Sequence, residues 1–393
     1  MIRKLKKSEL EASIRMSEFA FQYDMTDKER QERLGEMKAE QTLVIEEDGQ
    51  IVSKLTVLPL YTYLHGLMIP MGGVSGVVTL PEHRRRGHVA KLLHHAFSQM
   101  KQEGQLLSFL YPFSVPFYRR FGYELFADQQ KITLTRAQLP AKQPYKGSYQ
   151  VVEKGQAIEL LDKVYQEWAT DKNGPLVRDK KWWKQSIFKR KKGRMVVYKN
   201  DNDTPRGYMI YEVKNDHMTV SEIIWLDPEA REALFTLMSQ HDSMAETFTL
   251  TLAHDEMPFL LPDPKVKREV NSYFMARIID VESLLTLVRF HFKEGERVLL
   301  SIHDELCPWN TGIFQLEASS APPTKVTRIS DREHEESLSS CLLLDIQTLA
   351  VIILNAHRPH ALYKEGLIRG DKGAVDILER ATPNKEVFFY DFF

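Results

Sequence analysis

The alternation of apolar and polar positions divides the chain into short segments of two periods. Ser8 with Glu11, and Thr26 with Glu29, are capping-box patterns that predict two short helices reaching about Tyr23 and Met37. TLVIEE and IVSKLTVLPLYTYL predict strands around an Asp48-Gly49 turn, and GVSGVVTL predicts another. The period then changes. Val89, Leu92, Leu93, Ala96, Phe97 and Met100 recur at helical spacing, Gly104 is placed to end that helix, and LLSFLYPF predicts the next strand. LPAKQPYKGS, with Pro140, Pro144 and Gly147, interrupts the pattern and marks a domain boundary. Beyond it RMVVYKN, GYMIYEVK and MTVSEIIWL predict strands, and PEAREALFTLMSQH predicts an amphipathic helix. A second proline group, LLPDPK, precedes the apolar run SYFMARII, and Asp280 is placed to cap a helix through VESLLTLVRF. VLLSI, GIFQLEA and CLLLD follow, then helices after Asp345 and Asp371, and the aromatic ending VFFYDFF. The fold class is α/β (α+β), and 393 residues suffice for two to four domains.

Charge narrows the partners. Fifty-three Lys+Arg against 54 Asp+Glu leave a net charge of -1, without the basic excess that holds a protein to nucleic acid or an anionic membrane. Neither is expected as a partner. Cys307 and Cys341 are too few for a disulfide framework or a cysteine-rich zinc site. They read as free thiols in a reducing compartment. The opening MIRKLKKSELEASIRMSEF has no long apolar run, so a signal peptide or membrane span is not expected. The expectation is a soluble cytoplasmic protein.

One stretch carries chemistry: GGVSGVVTLPEHRRRGHVAKLLHHAFSQM. A strand, Val74 to Leu80, leads through a short turn into a helix whose first turn is expected to contain Arg84, Arg85, Arg86 and Gly87. The first amides of a helix lack intrahelical acceptors, and the helix dipole adds partial positive charge there. Gly87 leaves room for a ligand to approach the backbone, and three guanidinium groups offer donors suited to phosphate oxygens. Together they form a pyrophosphate cradle for a nucleotide-bearing cofactor. The bland alternative is a solvated basic face, but positive charge at the positive end of a helix is unfavourable without an anion. A Walker loop is excluded because no GK[ST] follows, and a Rossmann fingerprint because GxGxxG is missing.

That segment resembles the acetyl-CoA motif of the GCN5-related N-acetyltransferases, a strand followed by R/Q-x-x-G-x-G/A, with Val89 replacing the usual small last residue. With its continuation SFLYPFSVPFYRRFGYE it looks like the Eis (enhanced intracellular survival) family. The resemblance spans the whole chain and is strongest over residues 72–126. It implies two tandem acetyltransferase-fold domains (1–145, and 146–280 without the cofactor motif) and a sterol-carrier-protein-like domain (281–393). It implies acetyl-CoA as co-substrate, held by Val77, Val78, Thr79, Arg84, Arg85, Arg86, Gly87, His88 and Val89. Tyr118 matches the family's general acid and the carboxylate of Phe393 its general base. Asp24, Asp391 and Phe392 become candidates for the acceptor site, the first after a helix carrying Phe19, Phe21 and Tyr23 and the others by the terminus; the family often has an acidic residue where Phe392 stands. Members are known as hexamers, which makes a homo-oligomer the expectation.

The chemistry is coherent without the family. An alkylamine with a pKa near 10.4 must lose a proton before it attacks a thioester, and the departing thiolate needs one. A phenol suits the second task. GVSGVVTL contains no Asp, Glu or His for the first, so the base comes from elsewhere in the chain or through water. FFYDFF is too apolar to fray into solvent and is expected to dock, carrying its carboxylate inward. The bland alternative for Tyr118 is packing among Phe113, Phe117, Phe121 and Tyr123, and for Phe393 the end of an edge strand. No metal is expected: His94-His95 and His357/His360 lack ligand partners. Trp182-Trp183 reads as helix packing rather than ligand stacking. The expected activity is acetyl transfer to a primary amine of the aminoglycoside, polyamine or lysine type, by direct attack in a ternary complex. The competing expectations are a carrier or sensor that binds CoA and an apolar ligand without turnover, and an acyltransferase for longer chains.

Overall fold

The computed structural model describes residues 1–252, 260–318, 324–329 and 341–393. Among these, twelve strands form one continuous sheet. In chain order they are β1 (Ile2–Lys4), β2 (Thr42–Glu47), β3 (Gln50–Leu64), β4 (Leu67–Thr79), β5 (Leu107–Leu110), β6 (Glu124–Thr135), β7 (Ser148–Val152), β8 (Arg194–Lys199), β9 (Pro205–Lys214), β10 (His217–Trp225), β11 (Thr247–Leu252) and β12 (Lys267–Ile278). Their spatial order is β1-β2-β3-β4-β5-β12-β6-β11-β10-β9-β8-β7. The late strand β12 therefore lies between β5 and β6, antiparallel to both. A second sheet of four strands, β13 (Arg297–His303), β14 (Gly312–Glu317), β15 (Lys325–Arg328) and β16 (Leu342–Asp345), belongs to the last third of the chain.

Local signals explain most elements. Asp48 and Gly49 adopt φ of 50° and 79°, the left-handed pair that a tight hairpin turn requires. Helix α1 (Leu10–Phe21) follows a 3-10 turn, Lys7–Glu9, in which Glu9 rather than Ser8 makes the capping contact, accepting the Lys6 amide at 2.8 Å. Helix α2 (Asp27–Glu36) begins with the expected Thr26–Glu29 capping box. Helix α3 (His88–Gln102) buries Leu92, Leu93, Ala96, Phe97 and Met100 against the sheet, each large side chain contributing roughly 1.5–3 kcal/mol by leaving water. Asp280, Asp345 and Asp371 each cap a helix through the amide three residues on. The first of these helices stops at Leu287, short of the VESLLTLVRF run. Among the described residues no helix is long and apolar enough to cross a membrane.

Two further elements complete the site. Helix α4 (Val115–Arg119) carries Tyr118. Helix α5 (Lys154–Thr170) and the helical run 180–190, which has a π turn at Trp183–Ile187, flank the chain terminus.

Candidate active site

β4 and β5 pair in parallel only from Met71–Leu107 to Val74–Leu110. Beyond Val74 they part. β4 also bulges there: Ser75 faces Thr56 and Val78 faces Lys54, leaving two residues opposite one, with Gly76 at φ 58°. The Leu80 amide donates to Val52 of β3 at 2.9 Å. By strand alternation the backbone groups of Val77 and Thr79 face the other way, into the fork. The Val77 backbone groups and the Thr79 amide can pair there with an extended polar chain such as the pantetheine arm, while the Thr79 carbonyl accepts from Arg84. Val78 points its carbonyl back toward β3, where the Ser53 hydroxyl donates to it at 3.1 Å.

The fork leads to the start of α3. The helix begins at His88, one residue past the RRRG run, so the three arginines occupy the turn before it rather than its first turn. Gly87 is the N-cap, with φ 75°, and a Cβ built on it would meet nothing within 4 Å. The first bond into the helix runs from the Lys91 amide to the Gly87 carbonyl at 3.1 Å, so the amides before it remain donors for an anion. Arg84 and Arg85 are exposed, and the Arg84 Nε donates to the Thr79 carbonyl at 3.3 Å. This open backbone, the empty space at Gly87 and two solvent-facing cations fit a pyrophosphate-bearing arm.

Arg86 is occupied otherwise. It donates to Glu47 at 3.4 Å and to the Glu82 carbonyl at 3.2 Å. His83 Nδ1 lies 2.9 Å and His88 Nε2 3.4 Å from the same Glu47 carboxylate. Burial pushes the His88 pKa down, against the attraction of Glu47. Glu47, His83 and His88 bring potential metal-ligand atoms within 4.8 Å of one another. The Arg86 guanidinium, however, already supplies positive charge beside that carboxylate, and the cluster ties the turn before α3 to the end of β2. Sequence reading grouped Arg86 with its neighbours because the partner, Glu47, lies 39 positions away.

Tyr118 is buried, its ring 5.3 Å from Phe113, 5.2 Å from Phe117 and 6.0 Å from Tyr123. Its hydroxyl makes no hydrogen bond among the described residues, and burial lifts its pKa above the ordinary phenol value. It stays protonated through the neutral range: a donor, not a base. It packs in one cluster with Val74 and Leu110, the two residues at the mouth of the fork.

The chain terminus lies on the opposite face. A Cβ on Gly73 would meet the Phe393 ring at 2.9 Å and Leu60 at 2.9 Å, so the absence of a side chain there is what seats the terminal ring. Gly73 and Val74 point to opposite sides of β4. Tyr118 and Phe393 thus flank the fork from the two faces of the sheet.

A buried ion network holds the terminus. The Asp391 carboxylate accepts from Arg178 Nε at 3.1 Å and from Trp182 Nε1 at 2.7 Å. Arg178 forms a two-pronged pair with Glu222 at 2.8 and 2.9 Å and stacks on Tyr165, 3.8 Å from the ring centroid. Lys191 and Tyr208 also donate to Glu222. Burial opposes every charge here. Arg178 and Lys191 nonetheless pull the Glu222 pKa down to about 2, and the two carboxylates hold Arg178 well above the usual arginine value. Tyr273 donates to the Asp391 carbonyl at 2.8 Å, and Ser186 to that of Phe392 at 3.3 Å. The Phe392 ring lies 5.1 Å from Tyr111.

The remaining candidates fall elsewhere. Asp24 is exposed in the loop between α1 and α2. Asp391, acidic and next to the terminus, is wholly engaged by the network. His94 and His95 are exposed on α3, and His360 pairs with Asp376 at 2.8 Å. Trp183 is buried, donating to Asp162 at 2.7 Å, and its neighbour Trp182 clasps Asp391.

Models described as acetyltransferase (GNAT) domains match residues 1–126 and 174–278, and a sterol carrier protein domain matches 281–390. An uncharacterized N-acetyltransferase of Streptomyces griseus is 26% identical, over 75% of this chain and 74% of its own. N-acetyltransferase Eis of Mycobacterium tuberculosis is 24% identical, over 58% of this chain and 60% of its own. A probable N-acyltransferase of Enterococcus faecalis superposes with a TM-score of 0.91 at 25% identity, covering 100% of this chain and 99% of that one. Eis1 from Mycobacterium abscessus has the same fold, with a TM-score of 0.83 at 20% identity and complete coverage of both chains. The chain is an Eis-like N-acetyltransferase of the GNAT family, two acetyltransferase domains followed by a sterol-carrier-protein domain, and that fold implies acetyl-CoA as its co-substrate.

Proposed function

We propose that the protein transfers the acetyl group of acetyl-CoA directly to a primary amine, of the aminoglycoside, polyamine or lysine type, bound at the same time. The observation that carries this reading is the placement of Tyr118 and Phe393 on opposite faces of the β4–β5 fork. Val77 and Thr79 orient the pantetheine arm by backbone pairing. Arg84, Arg85 and the amides from Gly87 to Val89 hold the pyrophosphate. The Phe393 carboxylate takes the amine proton, directly or through one water, and the Tyr118 hydroxyl gives a proton to the departing thiolate. Both Cys307 and Cys341 are buried, and the Cys307 thiol pKa is pushed up to about 12, chiefly by burial. That suits direct transfer better than a cysteine-bound acetyl intermediate. The reading includes a soluble, cytoplasmic homo-oligomer, a hexamer by resemblance, which light scattering measures.

CoA release from acetyl-CoA tests the reading across aminoglycosides, spermidine and lysine peptides. Tyr118→Phe and a chain with one residue appended after Phe393 should each lose 100-fold or more in kcat while still binding acetyl-CoA, the ordinary worth of an acid or base. Full activity in the extended chain would remove the terminal base. Tight CoA binding without turnover on any amine would favour a carrier or sensor.

A further inference from the structure

The second acetyltransferase domain repeats the fork without its phosphate site. β10 and β11 run parallel only from His217–Thr247 to Val220–Leu250, and β10 bulges between Val220 and Glu222. At the helix that follows, Asp227 accepts the Ala230 amide at 2.8 Å. A carboxylate already fills the place where the first domain offers donors to a phosphate. Over β10, β11 and β6 lies a cavity of about 380 Å³ lined by Thr219, Ser221, Thr251, Lys131, Arg190 and Lys191 among others. Tyr390, Asp391 and Phe392 form one wall, and the next residue is the terminal Phe393.

The charges of this cavity do not balance. Asp391, the one carboxylate in its lining among the described residues, is taken by Arg178 and Trp182, and Lys191 is paired with Glu222. Arg190 has no hydrogen bond or ion pair among the described residues; its guanidinium lies over the Phe392 ring, 4.6 Å from the centroid. Arg33 of α2 is near enough to repel both Arg190 and the buried Lys54. Lys189 ties α2 to this same helical run through Glu36 at 2.7 Å. A guanidinium without an ion pair among the described residues, beside hydroxyl donors and next to the docked terminus, calls for an anion.

We propose that this cavity receives the anionic end of the acceptor, a carboxylate or phosphate, while its amine reaches the terminus; the inference rests on the acetyltransferase reading above. β4 and β6 are three strand spacings apart, about 14 Å. The acceptor is therefore extended: a lysine side chain followed by two or three residues spans that distance. Aminoglycosides and polyamines would bring like charge to Arg190 and Lys131 and become the poorer class.

The test uses N-terminally blocked amides of Lys-Gly-Asp-Asp, Lys-Gly-Asn-Asn, Lys-Gly-Lys-Lys and Lys-Gly-phosphoserine with the full chain. We expect kcat/KM to fall in the order Asp, Asn, Lys, by about tenfold between the first two, the worth of one charge-assisted hydrogen bond. Arg190→Gln, and the exposed Lys131→Gln should the first fail to fold, should shrink that ratio. Phosphoserine above or below the aspartate peptide assigns phosphate or carboxylate. Equal rates, or the reverse order, overturn the inference and leave the acetyltransferase reading intact. Should no amine be acetylated, that reading fails, and tryptophan fluorescence titration decides the inference alone, since Trp182 is bonded to the cavity wall. Binding of the aspartate peptide at least tenfold tighter than the asparagine one, lost in Arg190→Gln, supports it; equal binding overturns it.

Discussion

Asp391→Ala separates what holds the terminus from what the terminus does. The lost carboxylate accepts from Arg178 at 3.1 Å and from Trp182 at 2.7 Å, with every charged partner out of water. Removing one member of a buried ion pair costs about 3–5 kcal/mol, because the other charge remains desolvated. Glu222 still grips Arg178 with two oxygens, which puts the expected loss near 3 kcal/mol, a large part of a typical 5–15 kcal/mol stability. Urea unfolding measures that loss. The tail gives way before the sheet, because it is held largely by side chains while its neighbours are held by strand ladders. Once Phe393 leaves Gly73, kcat should fall by about 100-fold or more, the ordinary worth of a general base. Acetyl-CoA affinity should hold, since Gly87 and the start of α3 belong to the other end of the fork. Asp391→Asn keeps the shape and one acceptor oxygen and should fall between wild type and alanine. An alanine variant that loses stability yet keeps full kcat would refute the role of the terminus. One that loses neither would refute the network as its anchor.

Two other perturbations read separate parts of the molecule. Gly87→Val places a branched side chain at φ 75° in the space left for the pyrophosphate; strain of about 1–2 kcal/mol and a raised KM for acetyl-CoA are expected, with little change in acceptor KM. Lys54 is buried and donates to the Ser13 and Ser17 hydroxyls at 2.8 and 2.6 Å, and burial, aided by Arg33, lowers its pKa to about 7. Its unfolded value lies near 10.4, so between about pH 10 and pH 7 the unfolded chain binds the extra proton and the folded one does not. Stability relative to Lys54→Met should therefore fall as pH drops through that window, by at most about 1.4 kcal/mol per unit, and level off below it. Parallel urea curves for the two proteins from pH 7 to 10 would contradict the shift.

The strand, turn and helix proposed to hold the cofactor were legible in the sequence because they are local. Strand, turn and helix from Val74 to Met100 are contiguous, and each is specified by neighbours: alternation, Gly87, the apolar stripe of α3. The capping carboxylates at Asp280, Asp345 and Asp371 act over three residues and were equally readable. Docking of the aromatic terminus followed from its composition, since FFYDFF has no stable place in water. Whether Tyr118 would sit beside the fork was beyond any local rule and came from resemblance. Other matters were decided only by tertiary structure. β12 slots between β5 and β6, because its edges find partners about 130–170 residues upstream rather than beside it in sequence. No local pattern singles out Arg178 or Glu222 or joins them to Asp391; together, buried, they become the clasp that sets the last residue. Arg86 likewise finds a partner that no local rule gives, Glu47, 39 positions away. The sequence by itself determined what most segments form and which loop is proposed to take the phosphate. Only the fold decided where Phe393 rests and which charges remain free, because a buried charge is settled by whichever distant partner can neutralise it.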